Sequence, residues 1–423
     1  MNYPDSVRFL YALGNEARTA ELGLARMSAL LEALGNPHRG VAFVHVAGTN
    51  GKGSTCAMIE AGARAAGLRT GLYTSPHLVE PTERIRIDGE PVSADRFAAA
   101  FECVHEAAER LLRQGALEVH PTYFETVTAM ALVLFKELAV DLAVLEVGLG
   151  GRLDATNVVT PRLSVITPVD FDHEKYLGKS LEAITAEKAG ILKPGVPAVF
   201  AVQRPEVART LEARASAAGV AAVWVEQRWR AEQVEVDAAG SSFVAAGAGR
   251  IRIRCPLAGE HQITNTLTAI TALDCLGVAG EAIRDGIAQA RWPGRLERIA
   301  ETPEIVLDGA HNPAGARALA AHIERFYSGR RVWLVYGAMR DKAVAEMAAI
   351  LFPLAEEVIA TAPAQPRAVR PELIRELADH PRLRTAANLA AALRLLDAAA
   401  PQDAVFITGS LFLVGEARAL LVK

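Results

Sequence analysis

The chain reads Val44-His45-Val46-Ala47-Gly48-Thr49-Asn50-Gly51-Lys52-Gly53-Ser54-Thr55 where an apolar, β-branched run gives way to glycines, a lysine and two hydroxyl residues. An alanine-rich segment with helical character follows over residues 56–66. This order predicts a strand, a phosphate-binding loop and a helix, because glycines allow backbone N–H groups to converge on phosphate oxygens. In such a loop Lys52 can reach the terminal phosphates, and Ser54 or Thr55 can face a magnesium ion.

The loop differs from the commonest nucleotide-binding form. Gly48 and Lys52 are closer together than usual, and Gly53 separates the lysine from the hydroxyl residues. A glycine-rich turn without a ligand is the alternative interpretation, but the strand and helix signals on either side favour a nucleotide site. The predicted nucleotide-binding residues of the loop are Thr49, Asn50, Gly51, Lys52, Gly53 and Ser54.

The composition limits what can be built around this loop. The chain has 423 residues, 51% of them hydrophobic and 22% charged, which is enough for two or three domains with buried cores. A net charge of −4 gives no general attraction to nucleic acid or anionic membranes, so we expect small-molecule partners. Four scattered cysteines, without a signal-peptide pattern or a long apolar run, predict a cytoplasmic protein that does not span a membrane.

Polar side chains follow three further strand-like runs. Ser75 follows residues 70–74, Glu146 ends an apolar run, and His173 comes shortly after residues 163–167. Ligands of open parallel sheets gather at the carboxyl ends of the strands. Glu146 is therefore a candidate for polarising a metal ion. A serine before proline is also typical of a turn, and a histidine beside acids is as typical of a structural residue as of a metal ligand.

Three features have ordinary structural interpretations beside functional ones. Thr122 and Glu125 match a capping box at the start of a helix predicted over 123–138. Lys188 ends a helix predicted over 181–189, where a lysine complements the helix dipole. The alternating arginines of residues 81–92 are typical of a solvated strand face.

A second α/β unit is predicted after Arg291-Trp292-Pro293-Gly294-Arg295, where proline and glycine mark a boundary. Strands near 304–308, 332–337, 357–361 and 404–408 alternate with helical segments. The first of these strands ends in Asp308-Gly309-Ala310-His311-Asn312-Pro313. We therefore predict an α/β protein with domains over 1–293 and 294–423, the second of them smaller and Rossmann-like.

Together these motifs resemble the folylpolyglutamate synthases and the bifunctional dihydrofolate synthase/folylpolyglutamate synthases of the Mur ligase superfamily. The resemblance follows the order of nearly the whole chain, over residues 48–54, 75–78, 145–157, 172–173, 187–191, 292–295 and 308–313. The glycine-rich run that starts at Leu145 is the most specific part, whereas the phosphate loop alone indicates only the superfamily. The resemblance implies an N-terminal P-loop ATP-binding domain of the Mur ligase type and a smaller C-terminal Rossmann-like domain.

The resemblance also implies an ATP- and magnesium-dependent amide ligase of folate biosynthesis and one-carbon metabolism. ATP would phosphorylate a carboxylate of the pterin substrate, and the amine of L-glutamate would attack the acyl phosphate. The implied partners are 7,8-dihydropteroate, reduced folates and L-glutamate, and we expect a monomer. We favour both glutamylation activities, with a folylpolyglutamate synthase alone, or another Mur-type amino-acid ligase, as the alternatives.

Residue roles follow from the resemblance position by position. The implied catalytic residues are Lys52, His311 and Lys188, which matches the carbamylated lysine of the family. Ser75 and Glu146 would hold a first magnesium ion and His173 a second. Asn265, Arg295 and Asp308 would contact ATP, the last two from beyond the domain boundary, which implies domain closure. The pterin-binding residues would be Ala20, Glu21, Leu22, Thr122, Tyr123, Phe124, Glu125, Leu153, Asp154 and Ala155.

Two other protein classes share part of this pattern. A peptidoglycan-precursor ligase normally carries an additional N-terminal UDP-binding domain, and only 43 residues precede Val44. A GTPase switch needs an Asn-Lys-x-Asp motif for guanine, which this sequence lacks. We therefore expect neither class.

Overall fold

The computed structural model describes residues 1–14 and 23–422. The chain forms two compact units. The first comprises Met1–Arg230, Ala245–Ile251 and Asn265–Gln289, and the second comprises Ala231–Val244, Arg252–Thr264 and Ala290–Lys423.

An eight-stranded sheet organises the first unit. Its strands are Ala42–Ala47 (β1), Thr70–Tyr73 (β2), Ile85–Ile87 (β3), Glu90–Pro91 (β4), Leu142–Glu146 (β5), Leu163–Ile166 (β6), Ala198–Phe200 (β7) and Ala222–Trp224 (β8). They lie in the order β4-β3-β2-β5-β1-β6-β7-β8. The six neighbouring strands β2, β5, β1, β6, β7 and β8 pair in parallel, and β3 and β4 add an antiparallel edge beside β2.

The central strands are largely apolar and buried because helices cover both faces of the sheet. The α-helices between Tyr3 and Gln289 are Tyr3–Ala12 (α1), Ala25–Ala33 (α2), Lys52–Ala65 (α3), Ala94–Arg113 (α4), Tyr123–Glu137 (α5), Glu174–Leu177 (α6), Leu181–Lys188 (α7), Pro205–Ala217 (α8), Val225–Arg228 (α9), His261–Cys275 (α10) and Gly280–Gln289 (α11). One apolar core joins α1, α2, α4 and α5 to the sheet, through residues such as Leu30, Phe101 and Phe135. A separate core packs α7 and α8 around Ile184 and Leu211.

Register places the carboxyl ends of the central strands side by side. Val46 of β1 pairs with Glu146 of β5 on one side and with Val165 of β6 on the other. The loops that leave these three strands therefore emerge at one edge of the sheet, where ligands bind in open α/β folds.

A three-stranded sheet follows in the chain. Its strands are Trp229–Val236 (β9), Ser241–Gly247 (β10) and Arg250–Cys255 (β11), in the order β11-β10-β9. This matches the strand-like character that the sequence has before the helix starting at His261.

The second unit contains a six-stranded sheet. Its strands are Glu297–Glu301 (β12), Glu304–Leu307 (β13), Val332–Tyr336 (β14), Glu357–Ala360 (β15), Leu383–Thr385 (β16) and Ala404–Thr408 (β17). They lie in the order β12-β13-β17-β14-β15-β16, all parallel except for the edge strand β12. The helices of this unit are Pro313–Phe326 (α12), Val344–Leu351 (α13), Pro371–Leu377 (α14), Leu389–Leu395 (α15) and Leu411–Leu421 (α16). This confirms the predicted α/β architecture.

Candidate active site

The phosphate loop is shaped by two glycines in backbone conformations that other residues rarely adopt. Gly48 has a φ of +149°, and a Cβ added there would lie 1.9 Å from Thr167 Oγ1. Gly51 caps the start of α3 in the left-handed region, with a φ of +80°, and a Cβ there would lie 2.2 Å from Asn265 Oδ1. Asn265 is 3% exposed. The loop therefore passes between two polar side chains that leave no room for larger residues.

Hydrogen bonds tie the loop to the segment after β6. The backbone N–H groups of Thr49 and Asn50 donate to the carbonyl of Pro168 at 3.0 and 3.2 Å. Thr49 Oγ1 also donates to the carbonyl of Asp170, while the Asp170 N–H donates back to Thr49 Oγ1. These two backbone amides thus anchor the loop to the segment after β6.

Two lysine side chains meet at one carbonyl of the loop. Lys52 Nζ donates to the carbonyls of Gly48 and Thr49, each at 3.2 Å. Lys188, the last residue of α7, is buried, and its Nζ donates to the same Gly48 carbonyl at 2.8 Å. Burial, aided by the nearby Lys52 charge, lowers the pKa of Lys188 to about 7, against the opposing effect of Asp172 and Asp154. Lys188 thus contacts the phosphate loop, which the helix-dipole interpretation does not explain.

Glu146 lies at the carboxyl end of β5 and is buried. The Ser75 N–H donates to Glu146 Oε2 at 3.2 Å, so the two predicted ligands of one magnesium ion are neighbours. Burial raises the pKa of the Cys56 thiol on α3, the Glu146 charge adds to the rise, and the Lys52 charge opposes it. The Glu146 carboxylate therefore lies at the end of the strand next to β1, which leads into the phosphate loop.

His173 lies just before α6 with a φ of +52°. Its Nε2 is 3.9 Å from Asp172 Oδ2, and its backbone N–H donates to Asp172 Oδ1 at 2.8 Å. The charge of Asp172 also raises the pKa of Lys188, against the larger effect of burial. The segment after β6 thus brings an imidazole and a carboxylate together near the lysine.

The glycine-rich run after β5 is held by one buried carboxylate. Asp154 accepts the N–H groups of Gly148 and Leu149 at 3.0 and 2.9 Å, and also the backbone and hydroxyl hydrogens of Thr156. Thr156 Oγ1 in turn lies 2.8 Å from His45 Nε2 on β1. Burial raises the pKa of Asp154, while these hydrogen bonds oppose the rise. The carboxylate of Asp154 is therefore used to fold its own loop, next to a partly buried Leu153 and a buried Ala155.

The start of α5 confirms the predicted capping box. Glu125 Oε2 accepts the Thr122 N–H at 2.8 Å, and Thr122 Oγ1 accepts the Glu125 N–H at 3.2 Å. Glu125 also accepts Arg26 Nε at 2.8 Å, an ion pair whose side chains are 8% and 15% exposed. Tyr123 and Phe124, the first two residues of α5, are almost fully buried.

Arg84 has contacts that local sequence pattern does not predict. It was expected on a solvated face, but it is partly buried, with its guanidinium 4.8 Å from the centre of the Tyr123 ring. Its Nε donates to His77 Nδ1 at 2.9 Å, and His77 Nε2 lies 3.2 Å from the hydroxyl of Tyr11. Tyr11 stacks on Tyr123, with ring centres 5.9 Å apart. The position of His77 directly after Ser75-Pro76 was the available sequence signal.

In the second unit, Arg295, Asp308 and His311 lie around the end of β13. Asp308 is buried and accepts the N–H groups of Leu296 and Ala310, both at 3.0 Å. Burial raises the pKa of Asp308, and the Arg295 charge opposes the rise. His311 Nδ1 is 2.8 Å from the carbonyl of Gly309. The structure thus joins the Arg295 segment to the Asp308 segment.

Ala20, Glu21 and Leu22 lie outside the described residues. Among residues 1–14 and 23–422, no helix is both long enough and apolar enough to span a membrane.

Family models identify the class of protein that this fold and site define. Residues 46–273 match the Mur ligase middle domain, and residues 294–411 match the Mur ligase glutamate ligase domain. The chain is therefore a Mur ligase, and so an ATP-dependent ligase. Relatives narrow this further. The chain is 36% identical to the folylpolyglutamate synthase of Lacticaseibacillus casei, over 100% of this chain and 99% of that protein.

A bifunctional relative is equally similar. The dihydrofolate synthase/folylpolyglutamate synthase of Mycobacterium tuberculosis is 36% identical, over 94% of this chain and 89% of that protein. Among solved structures, M. tuberculosis folylpolyglutamate synthase complexed with ADP has a TM-score of 0.94, 35% identity and coverage of 100% and 99%. E. coli FolC in complex with DHPP and ADP has a TM-score of 0.88, 33% identity and coverage of 99% and 97%. The chain belongs to the dihydrofolate synthase/folylpolyglutamate synthase family, as the sequence motifs predicted.

Proposed function

We propose that this protein joins L-glutamate to 7,8-dihydropteroate and to reduced folates, using ATP. The observation that carries the proposal is that Lys52 and Lys188 meet at the Gly48 carbonyl of the phosphate loop, at the sheet edge where β5 ends in Glu146. Relatives that carry both activity names at 36% identity, and the E. coli relative with DHPP and ADP, support the pterin substrate. The alternative is polyglutamylation alone.

The chemistry needs two displacements. A carboxylate oxygen of the pterin substrate attacks the γ-phosphorus of ATP, the bond to the ADP oxygen breaks, and an acyl phosphate forms. The amine of glutamate then attacks the acyl carbon, loses a proton, and expels phosphate as the amide forms. The first step brings two anions together, so positive charge and fixed positions are required. Lys52 and the first turn of α3 would supply that charge to the phosphates.

Magnesium would neutralise the phosphates and polarise the γ-phosphoryl group. Glu146 and Ser75 fit such an ion, because Mg²⁺ prefers carboxylate and hydroxyl oxygens and these two residues are neighbours. His173 with Asp172 is the proposed contact for a second ion. An imidazole is a less typical Mg²⁺ ligand than an oxygen, so Asp172 would contribute the better donor.

Lys188 is proposed to react with carbon dioxide. The neutral amine would attack the carbon of CO₂, form an N–C bond and release a proton, which converts a buried cation into a carbamate anion. The reaction needs the neutral amine, and a pKa of about 7 makes that form abundant at neutral pH. The neighbouring charge of Lys52 disfavours an ammonium at this position but favours a carbamate. The carbamate would then orient the metal ligands.

The remaining role assignments stay proposals. Asn265 lies beside Gly51, which supports its proposed contact with ATP, and Arg295 and Asp308 are also proposed to contact ATP. His311 is proposed to act near the phosphates. Residues 122–125 and 153–155 are proposed to line the pterin site, where Asp154 and Glu125 would act by shaping the backbone. We also propose a cytoplasmic monomer with a domain boundary at residues 293 and 294.

The test is magnesium- and glutamate-dependent ADP release, measured separately with 7,8-dihydropteroate and tetrahydrofolate, with product masses checked. Turnover of both substrates supports the bifunctional proposal. Turnover of tetrahydrofolate alone supports the alternative, and turnover of dihydropteroate alone limits the protein to dihydrofolate synthesis. If neither substrate is turned over while ATP still binds, the substrate assignment is wrong.

A substitution at Glu146 tests whether its carboxylate takes part in the reaction. Glu146→Gln keeps the size of the side chain but removes its charge, and we expect turnover to fall by about 10²-fold or more, as when a transition-state charge contact is lost. The matched control is Glu182→Gln on α7, whose carboxylate is exposed and should be dispensable. Near-native turnover of E146Q would remove Glu146 from the magnesium site.

A further inference from the structure

Two histidines and a glutamate form a cluster that the proposed ligase reaction does not use. His105 and Glu109 are four residues apart on α4, so they share one face of the helix, and His120 lies in the segment between α4 and α5. One potential ligand atom from each residue lies within 4.8 Å of the others. All three residues are partly exposed.

One ring nitrogen of His120 has a lone pair that can bind a metal ion. Its Nδ1 is 2.9 Å from the carbonyl of Pro121, which can only accept a hydrogen bond, so Nδ1 carries the proton. The proton-free nitrogen is then Nε2, which is buried and has no hydrogen-bond partner among the described residues. Metal-binding histidines typically have this arrangement, in which one nitrogen donates to a carbonyl and the other binds the ion.

His105 is held in position by aromatic neighbours. Phe101 stacks on its ring with an interplanar angle of 10° and a centroid distance of 5.4 Å, and Phe9 packs edge-on at 4.6 Å. Its Nδ1 is also buried without a partner in residues 1–14 and 23–422. The ring centre of His120 lies 5.8 Å away. Glu109 makes no hydrogen bond or ion pair with the described residues, so its carboxylate is available to the cluster.

We propose that His105, Glu109 and His120 bind a transition-metal cation of the Zn²⁺ class. Two imidazoles and one carboxylate suit Zn²⁺, whereas Mg²⁺ and Ca²⁺ prefer oxygen ligands alone. In a tetrahedral zinc site with bonds of about 2.0–2.1 Å, the ligand atoms are roughly 3.3 Å apart, so small side-chain rotations would close the cluster around the ion. Three protein ligands leave the fourth position for water.

The ion would connect α4 to the segment that leads into α5. His120 comes two residues before Thr122, the N-cap of α5. A cation that binds only the folded chain stabilises it by mass action, so zinc should raise the melting temperature. The proposal concerns a site separate from the residues of the ligase reaction, and it does not depend on the identity of the pterin substrate.

The test uses the full-length chain, stripped of metal with a chelator and dialysed into excess Mg²⁺. Zn²⁺ is titrated into wild type, Glu109→Gln and a His105→Gln/His120→Gln double variant, and bound zinc per chain is measured by equilibrium dialysis. Glu106→Gln is the matched control, because Glu106 is exposed on the same helix. We expect wild type and E106Q to bind one more equivalent than the double variant, and E109Q to bind that equivalent at least tenfold more weakly.

Two further readouts separate this site from others that also bind zinc. Co²⁺ in place of Zn²⁺ should give the visible absorption of a tetrahedral site in wild type and E106Q but not in the double variant. Zinc should raise the melting temperature of wild type more than that of E109Q. If the double variant does not fold, E109Q alone decides, because glutamine keeps the size of the side chain. Equal zinc affinity and stoichiometry in wild type and E109Q would overturn the proposal.

Discussion

Replacing Lys188 by methionine should stabilise the protein relative to wild type at pH 6, and this advantage should shrink at pH 9. The perturbation removes a buried ammonium and keeps most of the side-chain volume. Burial lowers the pKa of Lys188 from 10.5 to about 7, so its amine binds a proton more weakly in the folded state than in the unfolded chain. Between these two pKa values the unfolded state binds more protons, so wild-type stability rises with pH across that window.

The size of the effect follows from the two pKa values. Below pH 7 both states are protonated, and the charged lysine costs the folded state about 4–5 kcal/mol at pH 6. At pH 9 the folded amine is neutral and the cost falls to about 2 kcal/mol. The variant also loses the hydrogen bond to the Gly48 carbonyl, worth about 1 kcal/mol, which does not change with pH. The stability gap between variant and wild type should therefore narrow by about 2–3 kcal/mol.

The assay is urea unfolding of both proteins without nucleotide at pH 6 and pH 9, in buffers freed of carbon dioxide so that no carbamate forms. Lys136→Met is the control, since Lys136 is exposed and its ammonium keeps most of its hydration on folding. A gap that stays constant or widens from pH 6 to pH 9 would refute the reasoning, because it would mean that the folded protein holds the Lys188 proton as firmly as the unfolded chain.

Two other predictions concern packing around the site. Gly48→Ala should lower stability by about 2–4 kcal/mol and abolish ADP release, because the new Cβ would collide with Thr167 and the backbone would be strained. Urea unfolding and the ADP assay check it, and native turnover would contradict it. Glu125→Gln should cost about 1–3 kcal/mol, because Arg26 loses its charged partner while half of the capping box remains. Urea unfolding at pH 7 measures the loss, and a change below about 0.5 kcal/mol would mean that the ion pair contributes little.

The parts of the fold that follow from local pattern were predictable from sequence. Apolar runs that end in glycines or acids gave β1, β5 and the phosphate loop, and the spacing from Thr122 to Glu125 gave the capping box. Alternation of strands and helices gave the second unit, although β12 and β16 were not anticipated. Both are edge strands with partly exposed residues, so neither has the apolar run that marks a buried strand.

Contacts between distant segments could not be read from local pattern. Lys188 has the position of a helix-capping lysine, and only the tertiary fold places its Nζ on a carbonyl 140 residues away. Arg84 belongs to a run of alternating arginines that is typical of a solvated strand face, yet it ends a short 3₁₀ helix over Pro81–Arg84 and lies over the Tyr123 ring. The motif resemblance singled out Lys188 where local pattern could not, because a family motif carries information on tertiary contacts that propensity lacks.

The burial of Lys188 connects stability to chemistry. At neutral pH an ordinary lysine has roughly one neutral amine in 3,000, whereas a pKa of about 7 makes about half of the Lys188 amines neutral. The same desolvation that destabilises the folded state therefore makes the amine reactive. An anion at this position would reverse the Lys52 contribution to this cost, because it would attract the Lys52 ammonium where a second cation repels it. Bicarbonate should thus stabilise wild type at neutral pH but leave the methionine variant unchanged, which ties the thermodynamic cost to the proposed carbamate in a single comparison.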